Sequence, residues 1–157
     1  MLAESVMTKD LIAAHVGEPV GDVLQRMRKH KLRMLPVLND KKIAVGVVST
    51  FSILEKIVPS YIASGDLEQV SFAPDIGFLK THYDQVIYKK IEEVMDDAPL
   101  LVKHDESLLS TAAALTSLDR HEYALVIDDD ESLVGIISSG DILDYLRNMK
   151  VNDKNDA

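Results

Sequence analysis

Two stretches, GVVSTFSIL (residues 46–54) and GIISSGDIL (residues 135–143), match position for position at an offset of 89 residues (135 minus 46). Each runs from glycine and apolar β-forming residues into small polar residues, and then resumes with the apolar spacing of a helix. A strand that enters a capped helix accounts for this pattern, and Ser138 and Asp141 have the spacing of a capping box. Because the pattern occurs twice, we predict an internal repeat.

Other segments recur at nearly the same offset. LPVLND (35–40) aligns with ALVIDD (124–129), and SVM (5–7) aligns with EVM (93–95). Two helical stripes with the spacing i, i+3, i+4, i+7 also correspond. These stripes are Val20, Val23, Leu24 and Met27, and then Leu108, Thr111, Ala112 and Leu115. Each repeat is therefore predicted to contain a lead-in strand, a helix, a strand, a polar turn, a strand and a helix.

Polar turns separate the β-rich runs of both repeats. NDKK (39–42) and DDDES (128–132) are predicted to close β-hairpins. DDDE (128–131) lacks the spaced oxygen ligands of a divalent cation site, so a solvated turn is expected there. The predicted fold class is α/β (α+β), with two tandem β-α-β-β-α units.

The repeats define the predicted domain boundaries: a first repeat at 1–58, a helical insertion at 59–91, a second repeat at 92–150 and a disordered tail at 151–157. Pro59, Gly65 and Pro74 predict a broken helix and loop over 59–75. A helix leading into the second repeat is predicted from the spacing of Leu79, Tyr83, Val86, Ile87, Ile91 and Val94. Its apolar face is expected to pack on its own domain, with a dimer or partner surface as the alternative.

The composition excludes several classes of function. The chain has 157 residues, 46% hydrophobic and 27% charged, and a formal net charge of −9, which argues against binding to nucleic acid or anionic membranes. It has no cysteine, so disulfides and thiol chemistry are excluded and a reducing cytoplasm is expected. MLAESVMTKD (1–10) has no secretion signal pattern, and no apolar run reaches the ~20 residues of a membrane span.

The sequence also lacks recognisable catalytic and metal motifs. The five histidines, at positions 15, 30, 82, 104 and 121, show neither i, i+4 pairing nor HExxH spacing, so we predict no metal site. No P-loop or paired-base serine elbow is present, and the repeats occupy nearly the whole length. The chain is therefore predicted not to be an enzyme.

The doubled pattern of VM, an apolar helix, LPVLND with GVVS, and a second copy resembles a tandem pair of cystathionine β-synthase (CBS) domains. The resemblance covers residues 3–58 and 92–149 and leaves the insertion outside. It implies a pseudo-twofold module with two clefts between the repeats, which senses adenosine-containing ligands. It also implies a homodimer in the form of a flat disc of four repeats.

By this resemblance, Asp141 is assigned to the ribose diol and Ser138 to phosphate or ribose oxygens. An ionised carboxylate can accept both hydroxyl protons of a diol, and amides at a helix N-terminus suit a phosphate. Ser139 adds a hydroxyl donor and Gly140 permits close approach to the backbone. Gly140 replaces a second hydroxyl residue that the family often has, which is expected to weaken phosphate contacts. The alternative is that Ser138 and Asp141 only cap the helix.

The resemblance also implies that each cleft combines the aspartate of one repeat with the strands of the other. The partners expected for Asp141 are therefore Ile12 on the lead-in strand, with Leu32, Arg33 and Met34 entering the hairpin. Arg33 is suited to a phosphate and Met34 to the face of a base. The alternatives are a solvated Arg33 and a Met34 in the core.

The other cleft is expected to be weak or empty. STFS (49–52) stands where the second repeat has SSGD, so Ser52 replaces the carboxylate and Phe51 replaces the glycine. A serine hydroxyl makes only part of a diol contact. The positions that match Arg33 and Met34 are Glu122 and Tyr123, and Glu122 would repel a phosphate.

These observations predict a non-catalytic, cytoplasmic regulatory module that binds an adenine nucleotide (AMP, ADP or ATP) and signals to an unidentified partner protein. The sequence does not distinguish these nucleotides from S-adenosylmethionine or a dinucleotide, because all share the adenosine that Asp141 would contact. The alternative function is a dimeric interaction scaffold with vestigial ligand clefts.

Overall fold

The computed structural model describes residues 1–58, 76–117 and 121–150. The broken helix and loop predicted over 59–75 and the predicted disordered tail at 151–157 lie outside the described residues.

The first repeat forms a three-stranded sheet and its helices. Strand β1 is parallel to β2, β2 is antiparallel to β3, and the strand order is β1-β2-β3. In chain order the elements are β1 (Ala14–His15), α1 (Val20–Lys29), β2 (Met34–Leu38), β3 (Ala44–Ser49), α2 (Thr50–Ile57) and α3 (Ile76–Val86).

The second repeat has the same topology, with the strand order β4-β5-β6. Its elements are β4 (Leu101–Lys103), α4 (Leu108–Leu115), β5 (Tyr123–Ile127), β6 (Leu133–Ser138) and α5 (Ser139–Asn148). One turn of 3-10 helix precedes each lead-in strand, at Ala3–Ser5 and at Ile91–Glu93. The predicted pair of β-α-β-β-α units is confirmed.

Side-chain caps in the turns explain the two hairpins. Oδ1 of Asn39 accepts hydrogen bonds from the amides of Lys41 and Ile43, at 2.9 and 3.0 Å. Oδ1 of Asp128 accepts in the same way from the amides of Asp130 and Ser132, at 2.9 Å each. Asn and Asp favour such turns because their short side chains satisfy the backbone locally. Both hairpin predictions are confirmed.

Both predicted helical stripes face a core. Val20, Val23 and Met27 are buried in the first core, and Thr111 and Leu115 are buried beneath the second sheet. The other stripe positions, Leu24, Leu108 and Ala112, are partly buried and pack against these cores. Burying a large apolar side chain contributes about 1.5–3 kcal/mol, so these stripes bind the helices to the sheets.

The chain folds into two compact units that differ from the sequence repeats at their lead-in segments. One unit comprises Ile12–Pro99, and the other joins Met1–Leu11 to the residues from Leu100 onward. We call them the first-repeat unit and the second-repeat unit. The lead-in segments are therefore exchanged, because residues before Ile12 join the second-repeat unit and residues 91–99 remain in the first-repeat unit.

Each exchanged segment pairs with the last strand of a hairpin. Thr8 and Ile136 exchange two backbone hydrogen bonds, of 2.8 and 3.0 Å, along β6. Val47 and Asp96 do the same along β3, at 2.9 and 2.8 Å. These bonds satisfy backbone groups at a strand edge that would otherwise be unpaired.

Glycine is required where these segments cross the hairpins. A Cβ atom at Gly46 would lie 2.7 Å from the carbonyl oxygen of Asp96 and would also collide with the side chain of Met95. A Cβ at Gly135 would collide with the side chain of Met7 alone. The glycines that begin the GVVS and GIIS motifs thus leave room for the methionines of the two VM motifs.

The continuous helix predicted from Leu79 to Val94 is wrong, since α3 ends at Val86 and Ile91 begins a separate helical turn. Leu79 and Tyr83 pack against the core of the first-repeat unit, and Val86 is buried there. This packing confirms that the apolar face of the helix covers its own domain.

Tertiary hydrogen bonds explain why the helix ends early. The carbonyl of Lys89 accepts from the amide of Val20, and the carbonyl of Ile87 accepts from the amide of Gly21, at 2.9 Å each. These amides begin α1, where helical N–H groups have no partner within the helix. Residues 87–89 therefore leave the helical path, and their carbonyls accept hydrogen bonds from the first amides of α1.

A contact between a histidine and a carboxylate joins the N-terminal segment to the rest of the second-repeat unit. Nδ1 of His104 lies 2.8 Å from Oε2 of Glu4, and Nε2 lies 3.6 Å from Oδ1 of Asp129. The hydrogen bond to Glu4 raises the pKa of His104, and the nearby charges of Asp105 and Asp129 act in the same direction.

Alanine substitution at the two hairpin glycines should destabilise the units unequally. We expect Gly46→Ala to cost about 2–3 kcal/mol, because the backbone oxygen of Asp96 cannot move without breaking the strand pairing. We expect Gly135→Ala to cost about 1 kcal/mol, because the γ-carbon and sulfur of Met7 can move to another rotamer, while its Cβ, 3.1 Å away, needs only a small shift. Urea unfolding of the two variants measures the difference, and equal losses would contradict this account of the glycines.

The His104–Glu4 contact should make stability depend on pH. Because the pKa of His104 is raised on folding, the charged contact stabilises the folded chain below the unfolded pKa and is lost as pH rises through the folded pKa. Glu4→Gln should therefore lower the melting temperature most at about pH 5.5, with a difference that shrinks towards about pH 9.

Glu92→Gln provides the control for this experiment. Oε2 of Glu92 accepts from the amide of Gly17 at 2.8 Å, and this bond lowers the pKa of Glu92. A lowered carboxyl pKa gives stability that is lost only as pH falls through the folded value, so the effect of Glu92→Gln should be constant between about pH 5.5 and 9. A Glu4→Gln effect that is equally constant would exclude the charged contact.

Candidate ligand site

The polar residues of GIISSGDIL form the N-terminus of α5. Ser138 is the N-cap residue, with an extended backbone. Its Oγ accepts from the amide of Asp141 at 3.0 Å, and Oδ2 of Asp141 accepts from the amide of Ser138 at 2.9 Å. The predicted capping box is confirmed, and it holds the half-buried carboxylate of Asp141 in a defined position.

The capping box leaves several polar groups for other partners. The amide of Ser139 donates to the carbonyl of Glu122 at 3.2 Å, so it is already occupied. The structure shows no partner among its described residues for the amide of Gly140 or for Oδ1 of Asp141. A carboxylate has about four acceptor positions, so the cap uses only part of its capacity.

Gly140 is not required by the packing of the protein. A Cβ atom there would meet only Oγ of Ser138, at 3.6 Å, which is an ordinary contact. The residue is exposed at the start of the helix. The site therefore presents an open backbone next to a hydroxyl and a carboxylate, a combination suited to a ligand with both anionic and hydroxyl groups.

The start of α2 has the same cap but different chemistry. Ser49 and Ser52 exchange hydrogen bonds of 2.9 Å in a capping box, and Oγ of Ser52 also donates to the carbonyl of Ser49 at 3.0 Å. Phe51 is 72% exposed at the position that matches Gly140. This end of the first-repeat unit lacks the negative charge that Asp141 supplies to the second-repeat unit.

The remaining predicted site residues lie in the first-repeat unit. Ile12 is partly buried against its core, and Leu32 is 38% exposed. Arg33 is exposed, and its carbonyl accepts from the amide of Thr50 at 3.0 Å. Met34 is 7% exposed. The structure thus brings Arg33 and Met34 to the start of α2, and it brings Ser138, Ser139, Gly140 and Asp141 to the start of α5.

The contacts that support these helix starts were not predicted from the sequence. Met7 and Met95 lie against the hairpin glycines, and the carbonyl of Glu122 accepts a hydrogen bond from the amide of Ser139. The recurrence of VM at an offset of 88 residues was the available signal for the methionines. It marked them as part of the repeat without indicating what they contact.

Neither a metal site nor a membrane span is present in the part of the chain that the structure describes. Within residues 1–58, 76–117 and 121–150, no group of three or more His, Asp or Glu side chains is arranged to hold a metal ion. Among the helices that the structure describes, none combines the length and apolarity needed to cross a membrane.

The family model of the CBS domain matches residues 3–59 and 91–148. The chain therefore belongs to the CBS domain family, and the fold is that of a tandem CBS pair.

Three proteins illustrate this similarity. An uncharacterized protein of Methanocaldococcus jannaschii is 26% identical over 93% of this chain and 91% of its own length. The chloroplastic CBS domain-containing protein CBSX2 of Arabidopsis thaliana is 27% identical to this chain. The match covers 82% of this chain and 57% of that relative's length. Its crystal structure in complex with AMP matches with a TM-score of 0.69, at 22% identity over 93% of this chain and 96% of that one.

The third is the crystallised CBS domain pair of protein MJ0100, in complex with 5′-methylthioadenosine and S-adenosyl-L-methionine. It has a TM-score of 0.67 and 20% identity, and the match covers 94% of this chain and 96% of that one.

Proposed function

We propose that this chain is a non-catalytic, cytoplasmic regulatory module that binds an adenine nucleotide and signals to a partner protein. Its membership of the CBS domain family supports a ligand-binding role. AMP, 5′-methylthioadenosine and S-adenosyl-L-methionine, the ligands in the two similar crystal structures, all contain adenosine. The proposal therefore begins with recognition of the adenosine ribose.

The observation that carries the proposal is the position of Asp141. Its carboxylate is held at a helix start by one oxygen, while the other has no partner among the described residues. A ribose diol donates two hydroxyl protons, and an ionised carboxylate is the side chain that accepts both. The hydroxyl of Ser139 and the amide of Gly140 are placed to donate to a phosphate beside it.

We assign the complementary contacts to the predicted residues of the first-repeat unit. Arg33 is exposed, and no ion pair joins it to another described residue, so it is available to a phosphate. Leu32 is exposed enough to contact an adenine face, and Ile12 supplies an apolar edge. Met34 is buried, so its side chain has at most a small edge to offer.

We propose one adenosine site per chain. The capping box of the first-repeat unit contains Ser52, whose hydroxyl hydrogen is already donated to the carbonyl of Ser49. Glu122, the counterpart of Arg33, is exposed and would repel a phosphate. A second site of equal affinity would need a carboxylate and a cation at these two positions.

We also propose that the chain forms a homodimer through its helices. Phe51 and Leu54 on α2 are 72% and 55% exposed, and Leu143 and Leu146 on α5 are 65% and 52% exposed. Large apolar side chains repeated along helix faces are a common feature of protein interfaces. These exposed residues also support the alternative function, a dimeric scaffold that binds no ligand.

Charged substitutions on these helices should weaken the dimer. Leu54→Glu combined with Leu146→Glu should shift sedimentation at micromolar concentration towards the monomer, because each introduced charge would lose its water on association. Val16→Glu is the matched control, since Val16 is 43% exposed and lies outside the helices. A wild-type chain that sediments as a monomer with and without nucleotide would contradict the dimer.

Asp141→Asn should separate ligand binding from capping. The amide oxygen of asparagine can keep the hydrogen bond from Ser138, so we expect a stability loss of about 1 kcal/mol or less. A lost charge-assisted bond is worth about 1.5–3 kcal/mol, so the affinity for the best adenosine ligand should fall about tenfold to more than a hundredfold. Calorimetry with AMP, ADP, ATP and S-adenosylmethionine measures both the affinity and the stoichiometry, and we expect a stoichiometry near one ligand per chain.

Gly140→Ala is a companion variant with the opposite effect on stability. The fold has room for the methyl group, and alanine favours a helix by up to about 1 kcal/mol, so the melting temperature should not fall. Binding should weaken if the ligand approaches this backbone closely. If both variants bind as tightly as the wild type, Ser138 and Asp141 form only a cap, and the scaffold function is favoured.

A further inference from the structure

The lead-in strand of the first-repeat unit is shorter than that of the second-repeat unit. Strand β1 covers only Ala14–His15, whereas β4 covers Leu101–Lys103. At the offset of 88 residues that relates the two lead-in strands, Ala13 matches Leu101, so Ala13 lies just outside β1. The segment before Ala14, which contains Ile12, is therefore not part of the strand.

A proline explains why this strand starts late. In the second-repeat unit, the amide of Leu125 donates to the carbonyl of Leu100 at 2.8 Å. At an offset of 89 residues, Leu125 matches Pro36, which has no amide hydrogen to donate. The ladder of the first-repeat unit thus lacks the hydrogen bond that would hold the carbonyl of Ile12.

Arg26 holds this segment from α1 instead. Its Nη1 donates to the carbonyl of Ala13 at 2.9 Å. The same guanidinium binds both carboxylate oxygens of Glu18, one of them at 3.0 Å. Oε1 of Glu18 also accepts from the amide of His15 at 2.8 Å. One ion pair therefore connects both ends of the segment 13–15 to α1.

The geometry of this ion pair makes it a rigid support. The side chains of Arg26 and Glu18 are 30% and 23% exposed. The hydrogen bond from Arg26 lowers the pKa of Glu18 to about 2, so the carboxylate is ionised between about pH 5 and 9. Two parallel hydrogen bonds fix both the position and the orientation of a guanidinium. The donor that faces Ala13 is thus held in place.

The common fold does not require this ion pair. At an offset of 88 residues, Arg26 matches Ala114 in α4, and the second-repeat unit has the same strand order without a cation there. The second-repeat unit instead has the hydrogen bond between Leu125 and Leu100. The ion pair is therefore a feature of the first repeat, where the ladder lacks that bond.

We propose that Arg26 is a positioning residue for the adenine contact of Ile12. This inference rests on the proposed function, because it concerns a residue that we assign to the same adenosine site. Ile12 begins the first-repeat unit, and the residues before it belong to the second-repeat unit. Within its own unit, Ile12 is held by its packing on the core and by the bond from Arg26 to the next residue. Arg26 acts through this backbone and is not itself assigned to the ligand.

Arg26→Met tests the proposal by calorimetry on the full chain. Methionine keeps an apolar stem and favours a helix, but it cannot donate to the carbonyl of Ala13. Because a segment without this support must be ordered when the ligand binds, the affinity for AMP should fall about threefold to tenfold. 5′-Methylthioadenosine has the same base and no phosphate, so its affinity should fall by the same factor.

Ribose 5-phosphate distinguishes positioning of the base contact from a general effect on the fold. This compound lacks the base, so its affinity, measured by competition with AMP, should change by about twofold at most. Hydrogen exchange of residues 12–15 should become faster in Arg26→Met, because Arg26 also holds Glu18 against the amide of His15.

Lys80→Met is the matched control. Lys80 lies 2.7 Å from Asp84 in an ion pair on α3, in the same unit, and the substitution removes the same charge. It should leave the three affinities and the exchange of residues 12–15 at their wild-type values. Glu18→Gln is a milder second variant, which keeps an acceptor oxygen for the amide of His15 and loses the ion pair. It should show the same base-dependent loss to a smaller degree.

Three results would overturn the inference while leaving the proposed function intact. The first is that Arg26→Met and Glu18→Gln bind AMP as tightly as the wild type does. The second is that ribose 5-phosphate loses as much affinity as AMP, because Arg26 would then act through its charge or through the whole fold. The third is that the exchange of residues 12–15 does not change. A wild-type chain that binds neither AMP nor 5′-methylthioadenosine would instead overturn the proposed function itself.

Discussion

The close approach of a methionine-bearing segment to a hairpin glycine is the contact on which each unit depends. Gly46 admits Met95, Gly135 admits Met7, and paired backbone bonds continue along the same strand edge. The strand that receives this segment runs without a break into the helix whose first residues form a capping box. A displacement of either strand would therefore move a capping box, so the packing of the hairpin determines the geometry of the site.

Both units have the same cap, and they differ in the charges placed around it. Asp141 and Glu122 make the start of α5 acidic, whereas the start of α2 has the neutral Ser52 and, beside it, the exposed Arg33. The two helix starts therefore differ in charge although the fold around them is the same, so individual side chains set this charge and the common fold does not.

The capping role of Asp141 is compatible with the ribose contact that we propose for it. The cap uses one carboxylate oxygen and fixes the rotamer, and a side chain held in this way loses little entropy when a ligand binds. The cap therefore prepares Asp141 for the proposed contact while it stabilises the helix. For this reason, melting temperature and affinity must be measured on the same variants.

Local patterns in the sequence determined the repeat, the hairpins, the buried helix stripes and the capping box of Ser138 and Asp141, because each depends on residues within one or two turns of chain. Only the tertiary structure decided three further features: the exchange of the lead-in segments, the end of α3 at Val86 and the burial of Met34. These features depend on groups far apart in the sequence, such as the carbonyl of Ile87 that binds the amide of Gly21. Periodicity cannot reveal such contacts, because a backbone carbonyl has the same chemistry in every residue and only the fold selects its partner.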